Sequence, residues 1–387
     1  MSLSSGFTLV EHNLFEDCDG DPEIVSVKSS DNTIRHNTFV SSYGTLSLRH
    51  GNRNRVEGNY FFGRGKAIGT SATGSNLYTG GIRIYGTDHV IINNYMEGLN
   101  GTRWDAPITL TLGDAIDGQS SNLSKHFRAE RVTIAYNTLV DNSHGIEIGF
   151  DNNDNFTKEL EDITIANNLL TGTENSLVEI VDLDNDQGDK IFWSSNLMFP
   201  TEDASLLEGA SSTSFGPTEV TNQNPLLIYD TDIGSWRSSA DTPLYENVLL
   251  TSDVNADIDG QARPSMSNPG ADHYSLESIR YRPLTPVDVG PTANGNISTA
   301  TSDTNTKSQP LLFPIPAKDL LHLNNLDSKI SRIKILSIEG QVCIDKEIQN
   351  PENGLSLNIS KLLNGTYAVQ LSGSDNFLES KIIIIHR

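Results

Sequence analysis

Short runs of alternating apolar and polar residues recur along the first half of the chain, and each run ends in an asparagine followed by an apolar pair. This alternation predicts short β-strands, because successive side chains of a strand point to opposite faces. The phrase appears as TLVEHNLF, TIRHNTF, RVEGNYF, VIINNYM, VTIAYNTL, ITIANNLL and IFWSSNLM, with asparagines at Asn13, Asn37, Asn59, Asn94, Asn137, Asn168 and Asn196. The asparagines are 24, 22, 35, 43, 31 and 28 residues apart. Such a period predicts a solenoid whose coils bury their apolar side chains against one another.

The composition of the strands favours a right-handed parallel β-helix. The strands are short and β-branched, glycine-rich corners lie between them, and no stretch shows sustained helical periodicity. A leucine-rich repeat would need a different leucine spacing. The longer gaps are predicted to be loops inserted into particular coils. We interpret the asparagines as structural, with amides stacked from coil to coil at a bend.

The repeat weakens near Pro200, and the chain is predicted to divide into four segments. Residues 1–200 form the β-helix, and residues 201–290, rich in Asp, Ser, Pro and Gly, form a loop-rich closing segment. Residues 291–310 have almost no large apolar side chains and are predicted to be a flexible linker. Residues 311–387 return to short alternating strands, typical of a small antiparallel β-sandwich. The predicted fold class is therefore all-β.

The chain is strongly acidic, with 27 Lys and Arg against 50 Asp and Glu and a formal net charge of -23. This charge opposes nonspecific binding to nucleic acid or anionic membranes, so a polyanion would need a local basic cleft. Cys18 and Cys343 lie far apart, which argues against a disulfide framework or thiolate metal site and predicts free, mostly buried thiols. No run approaches the ~20 apolar residues of a membrane span.

One cluster of charged residues is found in the stretches DGDPEIVSVKSS and TLSLRHG. In a regular strand Asp21 and Glu23 point to the same face, and two such carboxylates repel unless a cation lies between them. Hard oxygen ligands of this kind suit calcium. Lys28 is predicted to lie beyond the next corner, and Arg49 follows 21 residues later, about one coil length.

Lys28 and Arg49 are therefore predicted to stack on adjacent coils, an arrangement that stability alone does not favour. The alternative is that both are solvent-exposed surface residues paired with Asp21 and Glu23.

The same residues carry a family resemblance. The run NLFEDCDGDPEIVSVKSSDNTIRHNTFVSSYGTLSLRHGN, with VEGNYFFG and TGGIRIYGTDHVIINNYMEGL, resembles polysaccharide lyase family 6, the β-helix enzymes that include alginate lyases and chondroitinase B. The resemblance covers about residues 8 to 200. It implies β-elimination on uronic acids. A cation neutralises the uronate carboxylate, a lysine removes the C5 proton, and an arginine assists departure of the 4-linked oxygen.

The resemblance implies a role for each residue of the charged cluster. Lys28 matches the family's base, and Arg49 matches the arginine that assists the leaving oxygen. His50 matches the adjacent histidine. Asp21 and Glu23 match two acidic calcium ligands, although the family usually has Glu at the position of Asp21.

Three further residues match positions that line the family's substrate cleft. They are Arg83 and Tyr85 in GGIRIYG and Arg103 in GTRWDAP; alternatively, each is an outward-facing residue of the solenoid. The family's asparagine ligand for calcium lies about one coil before the acidic pair, upstream of Met1. Asn13 does not replace it, because Asn13 belongs to the stacked row.

Two questions of function stay open at this point. Alginate is favoured as the substrate over a dermatan-type glycosaminoglycan, because GGIRIYGTDH and the surroundings of EIVSVKS resemble the alginate members more closely. The competing class is a non-catalytic β-helix that binds carbohydrate or acts as an adhesin.

The C-terminal strands carry a second resemblance. FPIPAKDLLHL, SIEGQV and ISKLLNGTYAVQL resemble the C-terminal sorting domain of Bacteroidetes type IX secretion cargo, with Ile315 in place of the usual Asn. This implies a secreted or cell-surface protein. The alternative is a carbohydrate-binding sandwich, but Tyr367 and Phe377 are the only aromatic residues after Phe313.

The N-terminal sequence MSLSSGFTLVEHN opens directly on strand-like residues and has no signal peptide. We expect the natural chain to continue upstream of Met1 and to carry its signal peptide there. We also expect the exposed first coil to be covered by self-association or by a rearranged N-terminus. The chain without the upstream coils is then expected to bind calcium weakly and to turn over substrate poorly.

Overall fold

The computed structural model describes residues 3–119, 124–151, 156–172, 174–181, 190–201, 203–209, 214–247, 254–290, 311–313, 317–324, 326, 328–337, 341–349, 355–374 and 378–385. The chain divides into two compact units, Met1–Thr301 and Ser302–Arg387. Each unit has its own hydrophobic core. The predicted linker, residues 291–310, lies outside the described residues.

Three parallel β-sheets form most of the first unit. Sheet 1 contains Leu9–Glu11, Thr33–Arg35, Arg55–Glu57, Val90–Ile92, Glu130–Ala135, Glu161–Ala166 and Ile191–Ser194. Sheet 2 contains Glu23–Lys28, Gly44–His50, Thr79–Ile84, Ile108–Thr111, Ile146–Phe150, Ser176–Ile180 and Ser205–Glu208. Sheet 3 contains Leu14–Glu16, Thr38–Val40, Tyr60–Phe62, Tyr95–Glu97, Thr138–Val140, Leu169–Thr171, Asn196–Phe199 and Val220–Asn222. Neighbouring strands of each sheet come from successive coils, which confirms the parallel β-helix.

The parallel sheets continue beyond Pro200 to Asn222, further than the repeat predicted. The segment that follows packs along sheet 3, where Ala271 N donates a hydrogen bond to Thr138 Oγ1 at 2.8 Å and Leu284 N donates one to Thr38 Oγ1 at 2.7 Å. Among its described residues this unit also has three short antiparallel pairs: Gly69–Thr70 with Asn76–Leu77, Ile228–Asp230 with Ser235–Arg237, and Tyr245–Glu246 with Met266–Ser267.

The alternation of side chains divides sheet 2 into an inner and an outer face. The inner face is apolar and includes the register row Val27, Leu48, Ile84, Leu110, Ile148 and Ile180, all buried in the core. The neighbouring register row, one position along each strand, points outward. It contains Ser26, Ser47, Arg83, Thr109, Glu147, Glu179 and Glu208. The outer face of sheet 2 therefore presents the polar side chains of the coil.

The recurrent asparagines form one continuous ladder. From Asn13 to Asn196, each asparagine donates hydrogen bonds from its backbone N and its Nδ2 to the Oδ1 of the next, at 3.0–3.1 Å. The structural interpretation of these residues is confirmed.

The second unit is an antiparallel sandwich of a three-stranded and a four-stranded sheet, as predicted. The smaller sheet contains Leu311–Phe313, Leu320–Asn324 and Leu355–Asn358. The larger sheet contains Val342–Glu347, Ile330–Ser337, Gly365–Gly373 and Leu378–Ile385. Its core includes Leu321, Ile333, Val369 and Ile383.

The structure bears on two expectations drawn from composition, one about the cysteines and one about membrane spans. Cys18 and Cys343 are free thiols, but Cys18 is only half-buried and Cys343 is exposed, so the prediction of buried thiols was wrong. Both cysteines lie near strand ends rather than in an interior row. Over the described ranges, the chain has no helix with the length and apolar character needed to cross a bilayer.

Candidate functional site

The acidic pair lies at the start of the first strand of sheet 2. This strand begins at Glu23, so Asp21 precedes it and strand alternation does not place the two carboxylates on one face as predicted. Asp21 is exposed, and its Oδ1 accepts a hydrogen bond from Glu23 N at 3.1 Å. The two side chains nevertheless line the same cavity.

Lys28 is the last residue of this strand, and not beyond the next corner as predicted. A register shift after Val27 places Lys28 opposite His50 on the next coil, so Arg49 is bulged out of the pairing and does not stack directly on Lys28. Lys28 is exposed, and its side chain makes no hydrogen bond or ion pair with another described residue. Its amino group is therefore available to a ligand.

A glycine ends the neighbouring strand next to these residues. Gly51 follows His50 with φ of +88°, and a Cβ there would lie 2.3 Å from the carbonyl carbon of Ser29. Only glycine fits this close approach with a left-handed backbone. Gly51 thus fixes the turn that positions Arg49 and His50.

The side chain of Arg49 contacts the buried carboxylate of Glu23. Arg49 Nη1 lies 2.6 Å from Glu23 Oε1, and the Glu23 side chain is only 8% exposed. Burial opposes ionisation of Glu23, but hydrogen bonds from Ser26 and Arg49 outweigh it and hold the pKa of that carboxyl below its ordinary value. The alternative in which Lys28 and Arg49 pair with the acidic residues is therefore met for Arg49, which pairs with Glu23. The side chain of Lys28 is not paired with a described residue.

The pair faces a cavity of about 390 Å³ lined by Asp21, Pro22, Glu23, Arg49, Arg83 and Trp104. The Arg83 guanidinium lies over the rings of Tyr85 and Trp104, at 4.9 and 5.4 Å from their centroids. Its Nε is buried without a hydrogen-bond partner among the described residues. Burial lowers the pKa of Arg83 from its ordinary value. A partly desolvated arginine with an unused donor is well placed to bind an anion.

The other predicted cleft residues lie around this cavity. Tyr85 is 2% exposed and accepts a hydrogen bond from Arg83 Nη2, and His50 is 6% exposed. Arg103 is exposed and its guanidinium lies 5.8 Å from the centroid of Phe150, a ring that Arg83 also faces at 5.4 Å. The structure thus brings Asp21, Glu23, Arg49 and Arg83 to one cavity, with His50, Tyr85 and Arg103 in neighbouring packing.

Three residues near the site were missed in the sequence. Trp104 lines the cavity. It directly follows Arg103, and this position next to a predicted cleft residue is the sequence signal that could have identified it. His126 packs on His50 and Tyr85 from a distant loop, and no local signal indicates it. Glu147 lies in the outward row of sheet 2 two strands from Arg83. Its place in the alternating run IEIGF was the available signal.

The acidic residues fit calcium in kind but not in number. Asp21 and Glu23 offer hard carboxylate oxygens, whereas calcium takes about six to eight oxygen ligands. Both Glu23 oxygens are also bonded, to Arg49 and Ser26. Within the described ranges, the group of three acidic side chains close enough to share a metal is Asp257, Asp259 and Asp272.

That group has its own cation. Arg237 Nη2 lies 2.7 Å from Asp272 Oδ1 and also pairs with Asp259, so we interpret these two aspartates as part of a buried ion-pair network.

The coil of three parallel sheets, with charged and aromatic side chains gathered on the outer face of one sheet, places the chain among the parallel β-helix proteins. The Chondroitinase B family model matches residues 1–227, more than half of the chain, and the protein belongs to this family. The model of the secretion system C-terminal sorting domain matches residues 311–385. This second match indicates type IX secretion to the cell surface or beyond it.

Solved structures of polysaccharide lyase family 6 are similar to this chain. The PL6 family alginate lyase AlyGC is 30% identical with a TM-score of 0.50, over 62% of this chain and 29% of that one. A mannuronic acid specific family 6 lyase from human gut microbiota is 27% identical with a TM-score of 0.43, over 57% of this chain and 46% of that one. The chain therefore spans less than half the length of these relatives. No curated protein matches it.

Proposed function

We propose that this protein is a secreted polysaccharide lyase that cleaves a 4-linked polyuronate by β-elimination, with alginate as the favoured substrate. The observation that carries the proposal is the meeting of Arg49, Arg83 and Glu23 at one cavity, with an unpaired Lys28 on the same strand as Glu23. Membership of the chondroitinase B family supports the reaction class. The 30% identity with an alginate lyase supports alginate over dermatan sulfate.

The reaction requires a base, an anion site and help for the leaving oxygen. Lys28, in its neutral form, takes the C5 proton of the uronate. The electrons of the C5–H bond form the C4–C5 double bond as the C4–O bond breaks. Arg49 stabilises the departing oxygen, which becomes a hydroxyl by taking a proton from water, and Lys28 then returns the C5 proton to solvent. Arg83 binds the acidic sugar next to the C4–O bond that breaks, and orients it.

Asp21 and Glu23 would hold a Ca²⁺ ion, which when bound supplies positive charge to the uronate carboxylate and so favours loss of the adjacent proton. The remaining ligands have to come from outside this pair. Arg49 contacts Glu23 at 2.6 Å, and so it links the proposed cation site to the leaving-group side of the cavity.

Replacement of the base gives the direct test. Lys28→Ala in the full natural chain is expected to lower kcat on alginate by at least about 100-fold, because general-base catalysis contributes about 10² to 10⁴. Lys28→Arg is expected to fail equally, since an arginine keeps its proton. The measurement is ultraviolet absorbance of the unsaturated product, with circular dichroism to check the fold.

The matched control is Lys346→Ala, which removes another exposed strand lysine in the second unit. This variant should keep full activity. Absence of product from the unaltered protein with alginate, polyguluronate, polymannuronate and dermatan sulfate would overturn the proposal. Cleavage of dermatan sulfate alone would correct the substrate.

The cation site has a separate test by calorimetric titration with Ca²⁺. Asp21→Asn is expected to weaken binding, because it removes one of two formal charges from the ligand set. Asp17→Asn removes the same charge from an exposed carboxylate four residues away and should leave binding unchanged. Equal affinities of Asp21→Asn and the unaltered protein would exclude Asp21 as a ligand.

A further inference from the structure

His126 reaches the site from a long connection between two strands of different sheets, Ile108–Thr111 and Glu130–Ala135. Its backbone is held by Asp114: His126 N donates a hydrogen bond to Asp114 Oδ1 at 2.8 Å, and Asp114 N donates one to His126 O at 3.0 Å. Lys125 Nζ lies 3.0 Å from the other oxygen of Asp114. The position of His126 is therefore set by its own segment.

The imidazole of His126 packs against two rings, His50 and Tyr85, that lie next to charged residues of the site. Its centroid is 4.9 Å from that of His50, nearly parallel at 28°, and 4.8 Å from that of Tyr85. Phe156 closes the cluster at 5.3 Å. The imidazole makes no hydrogen bond within the described part of the chain. It therefore acts through its ring faces.

Both neighbours of His126 connect directly to the charged groups of the site. His50 follows Arg49 and lies opposite Lys28 in the sheet register. Tyr85 accepts a hydrogen bond from Arg83 and lies under its guanidinium. A displacement of His126 would therefore disturb the packing next to Arg49 and under Arg83, two residues that line the cavity.

We propose that His126 is a positioning residue of the lyase reaction, whose ring holds His50 and Tyr85 in place so that Lys28 and Arg83 meet the substrate in a fixed geometry. This inference rests on the proposed function. Nothing in the chemistry requires a nitrogen atom at this position, since the contacts are made by the ring.

The charge state of the ring supports this role. Burial, followed by the charges of His50 and Arg49, lowers the pKa of His126 to about 4. Asp114 opposes this shift and Arg83 adds to it. At neutral pH the ring is uncharged, so it adds no third cation beside the two arginines. A phenylalanine should therefore replace it, whereas a lysine should not.

The test compares His126→Ala, His126→Phe and His126→Lys in the full natural chain. His126→Ala is expected to lower kcat/KM by about 10- to 100-fold, since a small misplacement of reacting groups costs that much. His126→Phe should restore activity to within about threefold of the unaltered protein. His126→Lys should be at least as impaired as His126→Ala. Should His126→Ala fail to fold, His126→Gln, which fills the space without a ring, is measured in its place.

The matched control is His36→Ala, which removes a histidine stacked between His12 and Tyr281 at 5.5 and 3.8 Å, away from the site. It should lower stability and leave kcat/KM unchanged. Loss of kcat/KM in His36→Ala equal to that in His126→Ala would overturn the inference as general destabilisation.

Three other outcomes are decisive. Full activity of His126→Ala alongside an inactive Lys28→Ala overturns this inference alone and leaves the proposed function standing. Equal impairment of His126→Phe and His126→Ala overturns the role of ring packing. An unaltered protein that cleaves no polyuronate overturns the proposed function, and this inference with it.

Discussion

Glu147 shows how the environment changes the chemistry of a single residue. It points to the outer face of sheet 2, yet it is 1% exposed and its Oε2 has no hydrogen-bond partner among the described residues. Burial, with the neighbouring charge of Glu179, raises the pKa of Glu147 from 4.5 to about 8. Arg103 and Arg83 only partly oppose this shift. The folded protein therefore carries a neutral glutamic acid beside the cleft at neutral pH.

This shift predicts a pH dependence of stability. Between pH 4.5 and about 8 the folded state holds a proton on Glu147 that the unfolded state releases, so the free energy of unfolding falls as pH rises through this window. Glu147→Gln mimics the neutral acid and should remove that part of the fall. Denaturant titrations across the window should show the variant gaining stability over the unaltered protein as pH rises.

The control for this prediction is Glu161→Gln, which changes an exposed glutamate of sheet 1 that is paired with Arg128 at 3.4 Å. It should not change the slope of stability against pH. Asp257 and Asp272, whose pKa values burial raises to about 6 and about 7, are unchanged in both variants and cancel in the comparison. A constant difference between Glu147→Gln and the unaltered protein would contradict the assignment.

At the scale of the elements, the asparagine ladder joins successive coils at the corner between sheets 1 and 3. A side chain at each rung replaces the backbone pairing that the bend interrupts. Asn137 is fully buried: its Oδ1 accepts from Asn94, and its Nδ2 donates to Asn168 and to the carbonyl of Ile91 at 3.0 Å. Because Asn137 bonds the asparagines on both sides, its loss leaves buried partners unsatisfied above and below.

Asn137→Ala is therefore expected to lower the free energy of unfolding by at least about 1 to 3 kcal/mol, the cost of leaving a buried polar group unpaired. The measurement is denaturant unfolding. Asn13→Ala gives the matched comparison, since Asn13 is exposed and bonds one neighbouring rung only. Its cost should be clearly smaller, and equal costs would show that stacking of the amides is not what stabilises the coils.

At the scale of the whole molecule, charge is distributed unevenly and the two units have separate hydrophobic cores. The net charge is -23, yet Arg49 and Arg83 share one cavity and Arg103 lies close to it. Asp21 and Glu23 line the same cavity, so its lining carries as many cations as carboxylates and repels an anion less than the strongly acidic chain as a whole does. The two units have separate hydrophobic cores, one inside the coil and one inside the sandwich.

Separate cores predict separate unfolding transitions. The three tryptophans, Trp104, Trp193 and Trp236, all lie in the first unit, whereas strands of both units contribute to circular dichroism. In denaturant we expect one transition by tryptophan fluorescence and two by circular dichroism. Tyr367→Trp, in the core of the second unit, should add the missing transition to the fluorescence. Coincident curves from both probes would show that the units unfold together.

The sequence by itself determined the period of the coils, the side chains that face inward, the asparagine ladder and the sandwich at the end of the chain. These features follow from local rules. Alternation specifies which side chains are buried, and the same residue repeated at the same corner specifies the stacking. The residues of the charged cluster were also found in the sequence, because their types and their family resemblance are properties of short stretches.

Only the tertiary structure decided how those residues meet. The bulge at Arg49 pairs Lys28 with His50, and Arg49 turns to Glu23. The ring of His126 comes from a loop 76 residues further along the chain than His50. Register shifts and contacts across inserted loops depend on the free energy of the packed whole, because a change of one residue in pairing moves a side chain to the other face. The periodicity of the sequence therefore does not specify the register shift or the contacts across the loops.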